Sequence, residues 1–521
     1  MQENTDTDST LPSVIASLPG KYRQQELLLT IVFHPRTARI GQAAVVPAER
    51  GVNPWILGRR SPVFDGKGSV SACALEDRHV SRQALEFLRE GERLVIRRLA
   101  ASSRCRIAGS ELADSVELDE EQLRTGVPLL LGHSVVLLLR LGRCPDAAAG
   151  MQAGDELLRG SSACMARLQE QVAEAAHSDL DVLIRGETGT GKELVATAIH
   201  AASRRSDAPL VSVNMAAIPS ELAAAALFGS ARGAFTGADK AAPGYFQQAQ
   251  GGSLFLDEIG DAATAVQPQL LRALQQREIQ SVGGSLRRVD LRVISATDAA
   301  LEGAACDFRA ALRHRLGACE ILLLPLREHP EDIGELLLHF LVASAAAQQR
   351  TGLLPHEHST NLEVAAWAGL FYSFVSYRWP GNVRELANFA QQVVMSSGRQ
   401  LTLADNLQAL LDAGDAPQRA STVRSAHRKM REVDEAEFES ALQAHHFEAT
   451  GVARELGVSR TSVYRRISRS SRRRLASEVP VDELQRVLAE HRGDSTAATM
   501  QLRVSLSSLR TRLRELNLEF H

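Results

Sequence analysis

The sequence predicts a multidomain chain: a β-sandwich, then an α/β unit with a parallel sheet and a helical appendage, then an all-α pair of similar helical units. Three observations carry this. At 521 residues the chain is too long for one core. Its apolar pattern changes character along its length, and its last segment repeats itself. Residues 26–143 hold short β-like runs, "LLLTIVF", "RLVIRRL" and "HSVVLLLRL", separated by Gly, Pro and charge-rich turns. The stretch "GRCPDAAAGMQAGDE" lacks apolar periodicity and reads as a linker. Residues 156–325 alternate apolar strands ("DVLIRG", "LVSVN", "SLFLD", "LRVISAT") with helical stretches, as a helix-covered parallel sheet requires. A helical segment, 326–400, follows, and "DAGDAPQRAST" marks a second linker. Shifting the segment from Phe438 by 46 residues lays Leu442 on Leu488, Leu456 on Leu502, Val458 on Val504 and Ser459 on Ser505. Two helical units, 431–475 and 480–521, therefore sit in tandem.

Composition bounds the function classes. Hydrophobic content of 44%, charge of 23% and a net charge of -3 describe an ordinary globular chain, so a nucleic-acid partner must show locally. The six cysteines (Cys73, Cys105, Cys144, Cys164, Cys306, Cys319) form no CxxC pair, which argues against a zinc site or a disulfide framework. No uninterrupted apolar stretch is long enough to span a bilayer, and the start "MQENTDTDST" is polar and acidic, unlike a signal peptide. A cytoplasmic location is the expectation.

The densest chemistry lies in "DVLIRGETGTGKE". A strand precedes Gly186, Glu187, Thr188, Gly189, Thr190, Gly191 and Lys192, and a helix with an apolar stripe of Leu194, Val195, Ala198 and Ile199 follows. In that order, backbone N–H groups approach phosphate oxygens and Lys192 reaches the outer phosphates. Glu193 stands where a Ser or Thr would hold magnesium. Downstream, "GGSLFLDEIGD" ends a second buried strand in two carboxylates. Asp257 suits the Mg2+ of an ATP complex and Glu258 suits polarising the attacking water, so NTP hydrolysis is the leading expectation. In "SARGAFTGADK", Gly233 and Gly237 bracket a turn carrying Ala234, Phe235 and Thr236; in isolation, Phe235 would fold back into a core.

Across about residues 156–475 the chain resembles the bacterial enhancer-binding proteins, AAA+ ATPases that activate RNA polymerase carrying sigma-54. The stretch Gly233 to Ala238 is that family's GAFTGA loop, and the resemblance implies that Gly233, Ala234, Phe235, Thr236, Gly237 and Ala238 contact sigma-54. It further implies Asn214 as a switch pairing with Glu258, Thr297 and Asp298 as the sensor of the terminal phosphate, and Arg384 as the lid arginine. Arg309 and Arg315 occupy the arginine-finger places, which act on a neighbouring subunit's site and imply a ring, a hexamer in this family. This chain departs from the pattern at Ala224, Ala226 and Ala311, which replace acidic residues, and in the lid stretch "EHSTNLEVAAWAGLFYSFVSYRW".

The two ends resemble other families. "ATGVARELGVSRTSVYRRI" is similar to a Fis-type helix-turn-helix, whose second helix would enter the DNA major groove. Seven arginines and no acid lie between Arg460 and Arg474. Ser459, Arg460, Thr461, Ser462, Arg465 and Arg466 are the expected DNA contacts, while the second unit binds DNA or helps dimerise. The N-terminal segment resembles a forkhead-associated (FHA) domain through "LGRRS" and "HVSRQA", which implies phosphothreonine recognition by Arg59, Ser81 and Arg82. Here too the chain departs: Ala84 replaces a histidine, and Arg104, Cys105 and Arg106 replace Asn-Gly-Thr. The expectation is a transcriptional activator driven by ATP hydrolysis. Its rival is a DNA-binding repressor or scaffold that holds ATP with little turnover.

Overall fold

The computed structural model describes residues 26–411, apart from 48–53, 67–71, 91–92, 100–103, 144–156, 235–240, 300, 302–307, 357–358, 399–400, 405–406 and 410, together with 434–445 and scattered later positions. The chain divides into two compact units, one ending at Pro417 and one beginning at Gln418. Both stretches that read as linkers, 142–156 and 412–422, lie almost wholly outside the described residues.

Among the described residues, the first unit opens with ten strands in two antiparallel sheets. One sheet orders Ala43–Val46, Glu26–Phe33, Val135–Gly142, Val127–Leu131, Cys105–Ile107 and Ser110–Glu111; the other orders Trp55–Leu57, Leu85–Glu90, Arg93–Arg98 and Ser115–Leu118. They enclose one core, with Leu27, Leu29, Leu137 and Leu139 from the first sheet meeting Leu85, Phe87, Ile96 and Leu118 from the second. The strand Val135–Gly142 is buried on both faces. Val135, Leu137 and Leu139 enter this core, whereas Val136 and Leu138, pointing the opposite way by the period of two, join a second cluster with the helices at residues 333–396.

The parallel sheet orders Leu210–Asn214, Ser253–Asp257, Arg292–Thr297, Val182–Arg185 and Cys319–Leu322. The first four correspond to the apolar runs of the sequence; the edge strand Cys319–Leu322 carries no comparable signal. One expectation needs correction. Leu194 is 47% exposed, and the buried face of helix Lys192–Ala201 is Val195, Ala196, Ala198 and Ile199. A helical turn of about 100° per residue puts Leu194 beside this face, toward the cavity described below.

The helices Ile333–Ala347, Asn361–Ser376 and Asn382–Ser396 follow. The middle one starts at a capping box, Thr360 with Glu363, and buries Trp367, Phe371, Tyr372 and Phe374. The departure "AAWAGLFYSFV" therefore has a structural reason. Phe371 packs 4.9 Å from Phe33 of the β region, and the Tyr372 hydroxyl accepts from the Gly109 N–H at 2.7 Å. Gly334 is required at the contact, because a Cβ there would overlap the Val32 carbonyl oxygen. Among described residues, no helix is long and apolar enough to cross a membrane.

The second unit contains a helix Glu435–Ala444 and buries Phe438, Ala441, Leu442, Val452, Leu456, Leu484, Val487 and Leu502. Leu456 and Leu502, equivalent in the 46-residue repeat, are both buried.

Candidate active site

Parallel pairing sets the site. The register aligns Asn214 with Asp257, Leu256 with Ser295 and Arg185 with Thr297, so three strand ends and the loop after the fourth open on one edge of the sheet. The loop Gly186–Gly191 leaves that edge with Gly189 at φ +82° and Gly191 at φ +99°, left-handed values that favour glycine. Gly191 is the N-cap of helix Lys192–Ala201, whose free N–H groups face the loop.

The Lys192 ammonium, only 7% exposed, donates to the Gly186 carbonyl at 3.0 Å and lies 3.7 Å from the Glu258 carboxylate. Glu258 adopts a left-handed φ of +51° directly after the strand, which aims its side chain across the edge. Burial pushes its carboxyl above the ordinary value, Lys192 opposes that, and the Asp298 and Asp257 charges raise it further. Asp298 moves the other way, held down chiefly by the Thr188 hydroxyl that donates to it at 2.6 Å. Thr297 is buried; its carbonyl accepts from Gly186 N–H at 3.2 Å and its hydroxyl from Ala299 N–H at 3.1 Å. The first of these bonds ties the end of strand Arg292–Thr297 to the phosphate loop. Asp257 stands beside Glu258, and Glu193 is exposed in the first turn of the helix.

Asn214 departs from expectation. Its amide donates to Asp257 at 3.4 Å rather than to Glu258, and its carbonyl oxygen accepts from Ala216 N–H at 3.0 Å. The paired register puts Asn214 directly opposite Asp257, and this decides the partner.

Residues that sequence reasoning passes over lock the loop to the lid. Arg327 makes a two-pronged pair with Glu187 at 2.8 and 2.6 Å, which pulls the Glu187 carboxyl down to about 2. Asn382, fully buried at φ +53°, donates to the Thr188 carbonyl at 3.1 Å and to Glu187 at 3.3 Å, and accepts from Leu326 N–H at 2.9 Å. Arg384 N–H donates to the Gly189 carbonyl at 3.2 Å while its side chain is exposed. A Cβ on Gly189 would overlap the Gly381 carbonyl oxygen, so glycine is needed for this approach. The Pro-Gly-Asn turn signal at 380–382 is the available clue to Asn382. Beside the loop lies a cavity of about 690 Å3 reaching from Thr190, Gly191 and Leu194 to Leu322, Leu323 and Val383, a size suited to a nucleotide.

The other expected residues scatter. Arg309 is exposed at the N-cap of helix Ala310–Leu316. Arg315 is engaged within its own protomer, donating to the Leu274 carbonyl at 3.0 and 3.2 Å with Asp181 at 3.6 Å. Gly233, at φ +78°, and Ala234 begin the GAFTGA loop beside Val282 and Gly283; Phe235, Thr236, Gly237 and Ala238 lie outside the described residues. Arg59 and Ser81 are brought together, Arg59 N–H donating to the Ser81 carbonyl at 2.8 Å, with Arg82 exposed next to them. Arg466 pairs with Glu435 at 2.7 Å, and its guanidinium lies 4.7 Å from the Phe438 ring centroid. Ser459, Arg460, Thr461, Ser462 and Arg465 lie outside the described residues.

Comparison with known proteins matches residues 158–322 to the sigma-54 interaction domain, 327–424 to the AAA+ ATPase lid domain, and 429–469 to the bacterial regulatory proteins of the Fis family. The transcriptional regulatory protein ZraR of Klebsiella oxytoca is 37% identical over 360 residues, 68% of this chain and 76% of that protein. The chain belongs to the sigma-54-dependent transcriptional regulators. This regulator is also 40% identical over 310 residues to the C4-dicarboxylate transport transcriptional regulatory protein DctD of Pseudomonas aeruginosa, covering 59% of the chain and 63% of DctD. Among solved structures it is similar to NtrX from Brucella abortus in complex with ADP, with 31% identity, a TM-score of 0.42, and coverage of 60% of this regulator and 70% of NtrX.

Proposed function

We propose that this regulator hydrolyses ATP and uses the cycle to remodel RNA polymerase carrying sigma-54 at a promoter, after binding upstream DNA. The observation that carries the proposal is the meeting of Lys192, Glu258 and Asp298 at one sheet edge, under a lid tied to the phosphate loop. The loop N–H groups and Lys192 bind the phosphates, and Glu258 orients and polarises the attacking water. Its raised carboxyl suits a base, since proton affinity is what a weakly basic carboxylate lacks. The oxygen donors here suit a hard cation, and Asp257 would hold Mg2+, which neutralises phosphate charge. Thr297 and Asp298 sense the terminal phosphate through Thr188.

Arg309 and Arg315 act on the site of a neighbouring copy in a ring, a hexamer, which requires Arg315 to leave Leu274 and Asp181 on assembly. Gly233 to Ala238 form the loop that touches sigma-54. Residues 156–325 and 326–400 make the motor and lid, 431–475 the Fis-type DNA reader, and 480–521 its repeat. Residues 26–143 form an FHA-like sandwich in which Arg59, Ser81 and Arg82 bind a phosphoprotein; the adjacency of Arg59 and Ser81 supports this.

Purified protein should hydrolyse ATP, and Lys192→Ala should abolish nucleotide binding. Glu258→Gln should bind ATP yet turn over at least about a hundredfold more slowly. Wild-type protein that binds ATP but neither hydrolyses it nor opens a promoter with sigma-54 polymerase and DNA present would overturn the proposal in favour of the repressor or scaffold.

A further inference from the structure

The segment Leu326–Asp332, between the parallel sheet and the lid, sends its polar groups in three directions. Arg327 pairs with Glu187 of the phosphate loop. Asp332, fully buried, accepts from the Ser162 N–H at 2.8 Å and hydroxyl at 2.6 Å, and from His329 Nδ1 at 2.9 Å; Ser162 caps helix Ala163–His177, which walls the cavity. The third direction is the N-terminal β region. Arg140, near the end of strand Val135–Gly142, donates to the Glu331 carboxylate at 2.7 Å and to the Glu328 carbonyl at 2.7 Å. Its Nε is held by the Arg124 carbonyl at 2.9 Å, so all three donor nitrogens are committed.

Arg140 and Glu331 are about four-fifths shielded, at 21% and 20% side-chain exposure, and both line the 690 Å3 cavity. A largely shielded ion pair of this kind resists separation, because removing one partner leaves the other's charge without its compensation in a partly desolvated place. Burial pushes the Glu331 carboxyl up, Arg140 is the larger of the charges that oppose this, the Asp332 charge adds to the rise, and His329 opposes it more weakly. Arg140 lies outside both the stretch matched to the sigma-54 interaction domain and that matched to the lid.

We infer that Arg140 is a positioning residue for nucleotide: from the N-terminal β region it clamps the segment 328–331 against the cavity, and so sets how tightly an adenine nucleotide is held. The inference rests on the ATP-site reading above. The mechanism is geometric. With Arg140 in place, Arg327 is presented to Glu187 and the loop is held under the lid. Without it, the segment loses one of its three anchors and the loop is less preorganised for phosphate.

The test uses the full-length chain and a fluorescent ADP analogue, with steady-state ATP hydrolysis in parallel. Arg140→Ala should raise the analogue's Kd and the KM for ATP by about tenfold, with kcat within about threefold of wild type, the size expected for coupling between neighbouring elements. Arg140→Lys, which keeps the charge opposite Glu331 but gives up the forked hold on the Glu328 and Arg124 carbonyls, should recover only part of the loss. Gly334→Ala approaches from the other side: its Cβ overlaps the Val32 carbonyl oxygen, loosens the β region from the lid helix, and should weaken binding in the same direction without touching the cavity. Wild-type affinity in all three variants would overturn the inference, and so would a loss confined to kcat. Should Arg140→Ala fail to fold, Arg140→Lys and Gly334→Ala decide between these outcomes. If wild-type protein fails to bind the analogue, the ATP-site reading falls. If wild type binds and Lys192→Ala does not, while the Arg140 and Gly334 variants match wild type, only the role of Arg140 falls.

Discussion

Replacing Asn382 tests how the lid senses the phosphate loop. The side chain donates to Thr188 and Glu187 and accepts from Leu326 N–H, all from a fully buried, left-handed position. Asn382→Gly keeps the backbone unstrained at φ +53° and deletes only the amide. The two donated hydrogen bonds are worth about 1 kcal/mol each, and the buried Leu326 N–H left without a partner adds about 1–2 kcal/mol, which brings the cost to about 3–4 kcal/mol. Asn382→Ala should cost about 1 kcal/mol more, because a Cβ is unfavourable in the left-handed region. Two of the three tryptophans, Trp367 and Trp379, are buried in the lid, so urea unfolding followed by tryptophan fluorescence reports this stability. The KM for ATP should rise about five- to tenfold in Asn382→Gly, since part of the lost energy holds the loop in its binding shape. A Gly variant within about 0.5 kcal/mol of wild type, with unchanged KM, would refute the reasoning, because it would mean these bonds are replaced by water at no net cost.

Arg327→Ala should raise the KM for ATP several-fold and leave kcat near wild type, as steady-state kinetics would show; a loss confined to kcat would place Arg327 in the chemistry instead. Because Glu187 is depressed to about 2, its pairing is complete above the ordinary carboxylate range and is lost only as pH falls through about 2, so between pH 5 and 8 this clamp adds no pH dependence to binding. His34 behaves oppositely. Burial lowers it to about 4, with Nε2 on the Leu75 carbonyl and Nδ1 accepting from Arg36 N–H. The unfolded chain therefore binds more protons below pH 6.5, and stability of the β region should fall by roughly 2 kcal/mol between pH 6.5 and 5. Thermal unfolding of His34→Gln across that range should lack this slope; an unchanged slope would assign it to other groups.

Much of the site is legible in the sequence. Strand, glycine loop and helix in chain order leave little freedom for Lys192, and the carboxylates Asp257 and Glu258 follow a run whose length and apolarity leave few alternatives to a buried strand. These are local signals, carried by residues a few positions apart. Asn214 is recognisable as a site residue, but its partner is not, because register pairs it with Asp257 and register is a property of two strands. Helical spacing places Leu194 in the core; spacing alone does not say which side of an apolar stripe the protein covers.

The amino-acid sequence determined the order of the units, the phosphate loop, the glycine-bracketed loop and the repeat at the C-terminal end, since each rests on periodicity or on residues with particular backbone freedom. Tertiary structure alone decided that the aromatic helix at 361–376 supports the β region, that strand Val135–Gly142 is covered on both faces, and that Arg140 and Asn382 meet the segment Leu326–Asp332, whose Arg327 reaches the phosphate loop. The bonded partners are separated by 56 to 263 positions, and no local pattern encodes a contact whose energy appears only when distant apolar surfaces exclude water together.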